Sequence, residues 1–192
     1  MPGEEKSPMA DVKIAVLVGS LRKDSLNRKL AVQMLRLLPA GFAGAIVEIG
    51  DLPLYNDDLD AAPPEAWVRF RGAVAASDAV LFVTPEYNRS VPGALKNAID
   101  VGSRPYGKSV YAGKPAAVVS LSPGGIGGFG ANHHLRQSLV FLDMPVMQQP
   151  EAYLGGAGTM FAADGGFAKP ETEAFIGKIV GAFAAWVGKV RG

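Results

Sequence analysis

The sequence predicts an α/β fold: a parallel β-sheet with helices packed on both faces. Short, β-branched apolar runs alternate along the chain with longer amphipathic stretches. Three of the runs, 12–18, 79–84 and 116–121, are almost wholly apolar, as strands covered on both sides are. The resulting strand–helix alternation favours right-handed crossovers into a single parallel sheet.

The elements follow in order. VKIAVLV at 12–18 is the first strand. Residues 24–38 read as a helix, with Leu26, Leu30, Met34 and Leu37 at helical spacing and Pro39 and Gly41 closing it. A weaker second strand is read at 45–49. Residues 51–64 hold three prolines and five Asp or Asn residues, an irregular loop. A helix over 65–76 turns Trp67, Phe70 and Val74 inward. AVLFVT at 79–84 is the strongest strand, and Pro92 opens a helix over 92–101. The fourth strand is 116–121. SPGGIGGFG at 122–130 has five glycines in nine residues and is a loop. A helix over 131–141 carries Leu135 and Leu139, with Leu142 in the same spacing, and 143–148 supplies a fifth strand. Asp164-Gly165 signals a turn, as of a hairpin, within the glycine-rich 151–170. The closing helix at 171–190 sets Phe175, Ile179, Phe183 and Trp186 on one face. Residues 1–10 are expected to fray ahead of a single domain over 11–192.

Composition narrows the chemistry. The chain has 192 residues, 48% hydrophobic and 19% charged, enough to bury a core. Nineteen Lys and Arg against 18 Asp and Glu leave a net charge of +1. That balance argues against a nucleic-acid or membrane partner. There is no cysteine, which removes disulfides, thiol nucleophiles and thiolate-bound metals together. His133 and His134 are adjacent, a spacing that makes no metal site alone. Asn56-Asp57-Asp58-Leu59-Asp60 lacks the spacing of a calcium loop. The start of the chain has no secretory pattern, which predicts a cytoplasmic protein.

In an open parallel sheet, ligands lie beyond the carboxyl ends of the strands. Three loops fall there. Residues 19–27 (GSLRKDSLN) set Ser20, Ser25, Asn27 and Arg22 at a helix N-terminus, a phosphate cradle that is neither a Walker loop nor G-x-G-x-x-G. A purely structural role, with Ser25 capping the helix and Arg22 in solvent, explains the same residues about as well. Residues 85–92 (PEYNRSVP) are stiffened by two prolines and offer Tyr87 and Asn88 to a planar heterocycle. The glycines of 122–130 let backbone approach a ligand closely.

The three stretches GSLRKDSLN, TPEYNRSVPGALKNAID and SLSPGGIGG, in that order, resemble the NADPH-dependent FMN reductase family, in particular its bacterial chromate and quinone reductases. The resemblance covers residues 12–150. It implies a flavodoxin-like, five-stranded sheet in the order 2-1-3-4-5 and a bound FMN. By motif, Ser20, Arg22, Ser25, Leu26 and Asn27 hold the FMN phosphate. Pro85, Glu86, Tyr87 and Asn88 line the isoalloxazine with Ser90 nearby, and Ser122, Gly124 and Gly125 border its pyrimidine edge. No catalytic side chain or metal is implied, because hydride passes through N5 of the FMN. NADPH or NADH is the donor and quinones, or chromate, the small-molecule acceptors, in ping-pong turnover. Arg22, Arg89, Arg104 and Lys108 are candidate contacts for the donor's phosphates. A homodimer or homotetramer is implied, although Gly127-Gly128-Phe129-Gly130 lacks an arginine that some relatives use in subunit contacts. Val101 stands where many relatives carry tryptophan. The alternatives are a non-enzymatic, flavodoxin-like electron carrier and a flavin-free binding module.

Overall fold

In the structure, a computed structural model, residues 12–192 are described. The frayed segment expected at 1–10 lies outside them. Strands β1 (Val12–Val18), β2 (Phe42–Ile46), β3 (Ala79–Thr84), β4 (Ala116–Leu121) and β5 (Ala152–Leu154) form one sheet in the order β2-β1-β3-β4-β5. Every strand pairing is parallel, and that order is the flavodoxin-like one.

Alternation within the strands divides the core into two layers. Val12, Ile14, Val16 and Val18 face α1 (Leu26–Arg36) and α5 (Pro170–Arg191), where Leu30, Met34, Ile179 and Phe183 meet them. Ala15 and Leu17 face the opposite layer. There Trp67 and Phe70 of α2 (Glu65–Ala75), Leu95 of α3 (Gly93–Gly102) and Leu135 of α4 (Phe129–Phe141) close the core. β3 and β4 are buried at every residue, which their unbroken apolar runs require.

The sequence expectations fail at identifiable points. The second strand lies at Phe42–Ile46 rather than 45–49. Its ladder starts where Val12 N–H donates to Gly41 O, just after the positive φ of Gly41. As an edge strand it exposes Ala43, Gly44 and Ala45, so no apolar run marks it. A Cβ on Gly44 would lie 2.5 Å from the side-chain end of Leu35 on α1, so any larger residue there would have to push that side chain aside. The fifth strand is Ala152–Leu154, not 143–148. The earlier segment makes a single parallel bridge, Val146 to Ala116. Pro145 within it and Pro150 just after it lack the N–H a continuous ladder needs. On α5, Ile176 is buried and Phe175 is exposed, because the inward row runs through Ile176, Ile179, Val180, Phe183 and Val187. Helix α4 starts at Phe129, two residues earlier than expected. The turn expected at Asp164-Gly165 is present, closed by an antiparallel bridge between Phe161 and Phe167. The segment is tied to α1 where the Gln33 side-chain amide donates to Gly165 O at 2.8 Å. Among the described residues, no helix is long and apolar enough to cross a membrane.

Candidate active site

The loops after β1, β3 and β4 converge at the carboxyl edge of the sheet. They enclose a cleft of about 130 Å3 lined by Ser20, Arg22, Leu26, Asn27, Pro85, Glu86, Tyr87, Leu121, Ser122 and Pro123. Most of the residues expected at the site therefore meet in one place. Ser25, Asn88, Ser90, Gly124 and Gly125 do not line the cleft and sit on the loops around it.

The first loop leaves β1 with Gly19, whose N–H donates to Val83 O. A Cβ on Gly19 would lie 2.8 Å from Thr84 Oγ1, so only glycine lets the loops after β1 and β3 lie together. Ser25 caps α1: its buried hydroxyl accepts from Arg28 N–H at 3.1 Å. The structural role foreseen for Ser25 is therefore real. It leaves the N–H groups of Leu26 and Asn27, ahead of Arg28 in the first helical turn, with no intrahelical partner. Arg22 stands exposed at the cleft mouth and forms no ion pair among the described residues. Asn27 is buried. Its amide donates weakly to Leu121 O at 3.4 Å, and its Oδ1 has no partner. A buried acceptor left open at the rim of a cleft is costly unless a ligand fills it.

The second loop is a tight turn. Tyr87 N–H donates to Ser90 O and Ser90 N–H to Tyr87 O, while Asn88 and Arg89 both take positive φ, 50° and 63°. This is a primed turn with no glycine at either central position. Left-handed backbone at such residues costs about 1–3 kcal/mol each and gathers at functional sites. Tyr87 is half-exposed beside the cleft. The carboxylate of Glu86 is engaged with α4: Oε2 accepts from Ala131 N–H at 3.0 Å, and Arg89 lies 3.4 Å from Oε1. Ser90 Oγ lies 3.0 Å from His134 Nδ1.

The third loop separates its glycines by role. Gly127 and Gly128 take positive φ, and a Cβ on Gly127 would lie 2.5 Å from the backbone of Tyr153. These two serve the fold. Gly125 has open space where a Cβ would be, and Gly124 meets nothing nearer than Ser122 Oγ at 3.6 Å. No protein contact requires glycine at 124 or 125, so the backbone there stays open to close approach from outside.

His133 is not in solvent alone. Its Nε2 lies 2.9 Å from the Tyr153 hydroxyl, and its ring packs 4.2 Å from that of Phe129. Burial, with the Glu151 carboxylate nearby, pushes the Tyr153 hydroxyl up to about 12. Among the described residues, no group of three or more acidic or histidine side chains converges as a metal site would require. Reading the sequence missed Leu121 and Pro123 as walls of the cleft. It also missed the buried network in which Asn132 Oδ1 accepts from Arg136 and Arg136 donates to Met147 O. The wall residues could have been found, since both adjoin the end of the fourth strand. The network joins segments with no shared local signal.

The residues fit an FMN. A serine-capped helix N-terminus with a free guanidinium suits a phosphate. The open Asn27 acceptor suits a polyol hydroxyl, and the Tyr87 ring with the open glycines suits a flat ring with a polar edge. Comparison with known proteins agrees. Residues 12–159 match the family model described as NADPH-dependent FMN reductase. A protein named quinone reductase from Pseudomonas putida is 66% identical over 175 residues, covering 91% of this chain and 94% of that one. A 2-hydroxy-1,4-benzoquinone reductase from a Burkholderia species is 45% identical over 92% of this chain and 96% of its own. A solved flavoenzyme NAD(P)H:(acceptor) oxidoreductase from Paracoccus denitrificans superposes with a TM-score of 0.87 at 46% identity, covering 93% of this chain and 98% of that one. With three ordered loop motifs, the flavodoxin-like strand order and this likeness over nearly all its length, the chain belongs to the NADPH-dependent FMN reductase family.

Proposed function

We propose that this chain is an FMN-dependent NAD(P)H oxidoreductase that reduces quinones. The cleft carries the reading, because three loops set a helix N-terminus, a buried open acceptor on Asn27 and the half-exposed ring of Tyr87 around one space. The quinone acceptor rests on the 66% identity to a protein of that name. When bound, FMN supplies the redox chemistry, taking hydride from the donor and passing it to the acceptor.

The chain's own residues bind and orient. Ser20, Ser25, Arg22 and the first N–H groups of α1 hold the phosphate. Asn27, expected at the phosphate, would instead offer its open Oδ1 to a ribityl hydroxyl, since its amide already donates to Leu121 O. Tyr87 and the 122–125 backbone would flank the ring; Ser122 N–H and Gly124 N–H are already bonded to Leu154 O and Ser122 Oγ, which leaves Gly125 N–H to meet negative charge at the pyrimidine edge. No side-chain acid or base is needed for hydride transfer. Chromate, expected from the resemblance, is a further acceptor in this reading.

Residues 11–192 act as one FMN-binding domain in a soluble, cytoplasmic protein. Phe129, Val140 and Phe141 are exposed on α4, and such an apolar surface favours a homodimer or homotetramer.

The test is anaerobic titration of FMN-loaded protein with NADPH and then NADH, followed by a benzoquinone. Loss of flavin absorbance on adding donor and its return on adding quinone are expected. Bound flavin indifferent to both donors would instead mark an electron carrier. Failure to retain FMN would overturn the reading.

A further inference from the structure

We propose that Glu86 is a positioning residue for the flavin site: its carboxylate holds the first turn of α4 against the strained turn Tyr87–Ser90, and so sets the ring and amide which that turn presents to the cleft. This inference rests on the FMN reading above and assigns Glu86 a task other than lining the isoalloxazine.

Helix α4 has Gly128 at its N-cap and no side-chain cap of its own. Its third N–H, on Ala131, is satisfied from 45 residues away by Glu86 Oε2. A carboxylate is well suited to that place, where free N–H groups and the positive end of the helix dipole coincide. The Glu86 side chain is 13% exposed, so the bond is largely shielded from water.

Two further contacts join the same surfaces. A Cβ on Gly130 would lie 2.6 Å from Arg89 O and 2.9 Å from Glu86 Oε2, so the helix and turn backbones touch. One helical turn on, His134 Nδ1 lies 3.0 Å from Ser90 Oγ. The clamped turn is the one with Asn88 and Arg89 in the left-handed region. A turn of that kind persists only where its surroundings over-determine it. Glu86 sits at one end of it and Ser90 at the other, and both are tied to α4.

The alternative is that the Glu86 charge acts directly on the flavin. The two roles separate by substitution. Glu86→Gln keeps an oxygen that can accept the Ala131 N–H, whereas Glu86→Ala keeps nothing. Apoprotein variants would be titrated with FMN by fluorescence quenching, with thermal unfolding and the flavin midpoint potential measured alongside. Glu86→Ala is expected to weaken FMN binding about tenfold, the scale of a lost helix cap. Glu86→Gln is expected to recover most of that loss and to leave the potential in place. Gly130→Ala, which pushes on the same contact from the helix side, is expected to weaken FMN binding as well.

Equal damage from Gln and Ala, or a shifted potential in Glu86→Gln, would overturn the proposal in favour of direct action by the charge. So would a lower Tm in Glu86→Ala with unchanged FMN affinity, the mark of a merely structural cap. Wild-type protein that binds no FMN would defeat the FMN reading itself. The clamp would then be judged by hydrogen exchange at Ala131 and Ser90, expected to speed up in Glu86→Ala and not in Glu86→Gln. Unchanged exchange would refute it.

Discussion

Arg89 offers a direct measure of the strain at the site. Its φ of 63° places a long side chain in the left-handed region, at roughly 1–2 kcal/mol. Arg89→Gly removes that cost. It returns roughly 0.5–1 kcal/mol through the greater freedom of glycine in the unfolded chain. The ion pair it deletes is weak: Arg89 is 71% exposed and sits 3.4 Å from Glu86, a geometry worth close to nothing. Glu86 keeps its bond to Ala131 N–H throughout. The balance is a stabilisation of about 0.5–1 kcal/mol, or about 1–4 °C in Tm for a chain of this size. Chemical denaturation of the apoprotein would read it. If the exposed guanidinium meets a phosphate of the donor, KM for NADPH rises about threefold with kcat unchanged. The variant would then be more stable and a poorer catalyst at low donor. A destabilisation of 1 kcal/mol or more would refute the reasoning, because the side chain would then matter more to the fold than the strain it imposes.

Asn97 pins the loop that follows β2. Its Oδ1 accepts from Tyr55 N–H at 2.8 Å and its amide donates to Leu52 O and Pro53 O, both at 3.1 Å. Asn97→Ala would strand these groups at a cost of about 2–4 kcal/mol, and calorimetry should find Tm lower by roughly 5–12 °C. Asn27→Ala should separate binding from stability: it removes a buried unpartnered oxygen, so the apoprotein holds or gains stability while FMN binds about tenfold more weakly. The Asp60 carboxyl is held below its ordinary range, first by the Tyr55 hydroxyl and then by Arg71. Its folded pKa thus lies under the unfolded value of about 3.9, so its contribution is complete above that pH and is lost as the pH falls through the folded pKa. Acid titration of Asp60→Asn should show a shallower loss of stability below about pH 4 than the wild type.

How much of this was legible in the sequence depended on whether the cause was local. β1, β3 and β4 stand where the apolar runs put them, because central parallel strands are buried on both faces and need nothing else to mark them. The edge strand β2 was displaced because only half of its surface is covered, and β5 because Pro145 and Pro150 break up the chain ahead of it. At the site, Ser20, Arg22, Leu26 and Asn27 were readable from one helix N-terminus, and Pro85 and Tyr87 from one stiff turn. Phe175 misled because, one step from Ile176, it is rotated about 100° out of the buried row. The bonds of Glu86 to Ala131, Ser90 to His134 and Asn97 to Tyr55 could not be read, since each spans more than 40 residues.

Those long-range bonds change what the central motif means. TPEYNRSVPGALKNAID looks like one ligand-binding signature, yet its polar side chains act in different directions. Glu86 reaches α4, Ser90 reaches His134 and Asn97 reaches the loop after β2. Tyr87 is left beside the cleft, with Asn88 exposed on the turn next to it. The motif is therefore a junction: it ties α4 and the loop after β2 to one segment and leaves a stiffened Tyr87–Asn88 turn at the cleft. Such a division suits a flavin enzyme in which the cofactor carries the chemistry and the protein must hold a ring in place rather than move protons. It follows that substitutions at Glu86 should act through where Tyr87 stands and those at Asn97 through the loop after β2, while substitutions at Tyr87 should act on the ring directly.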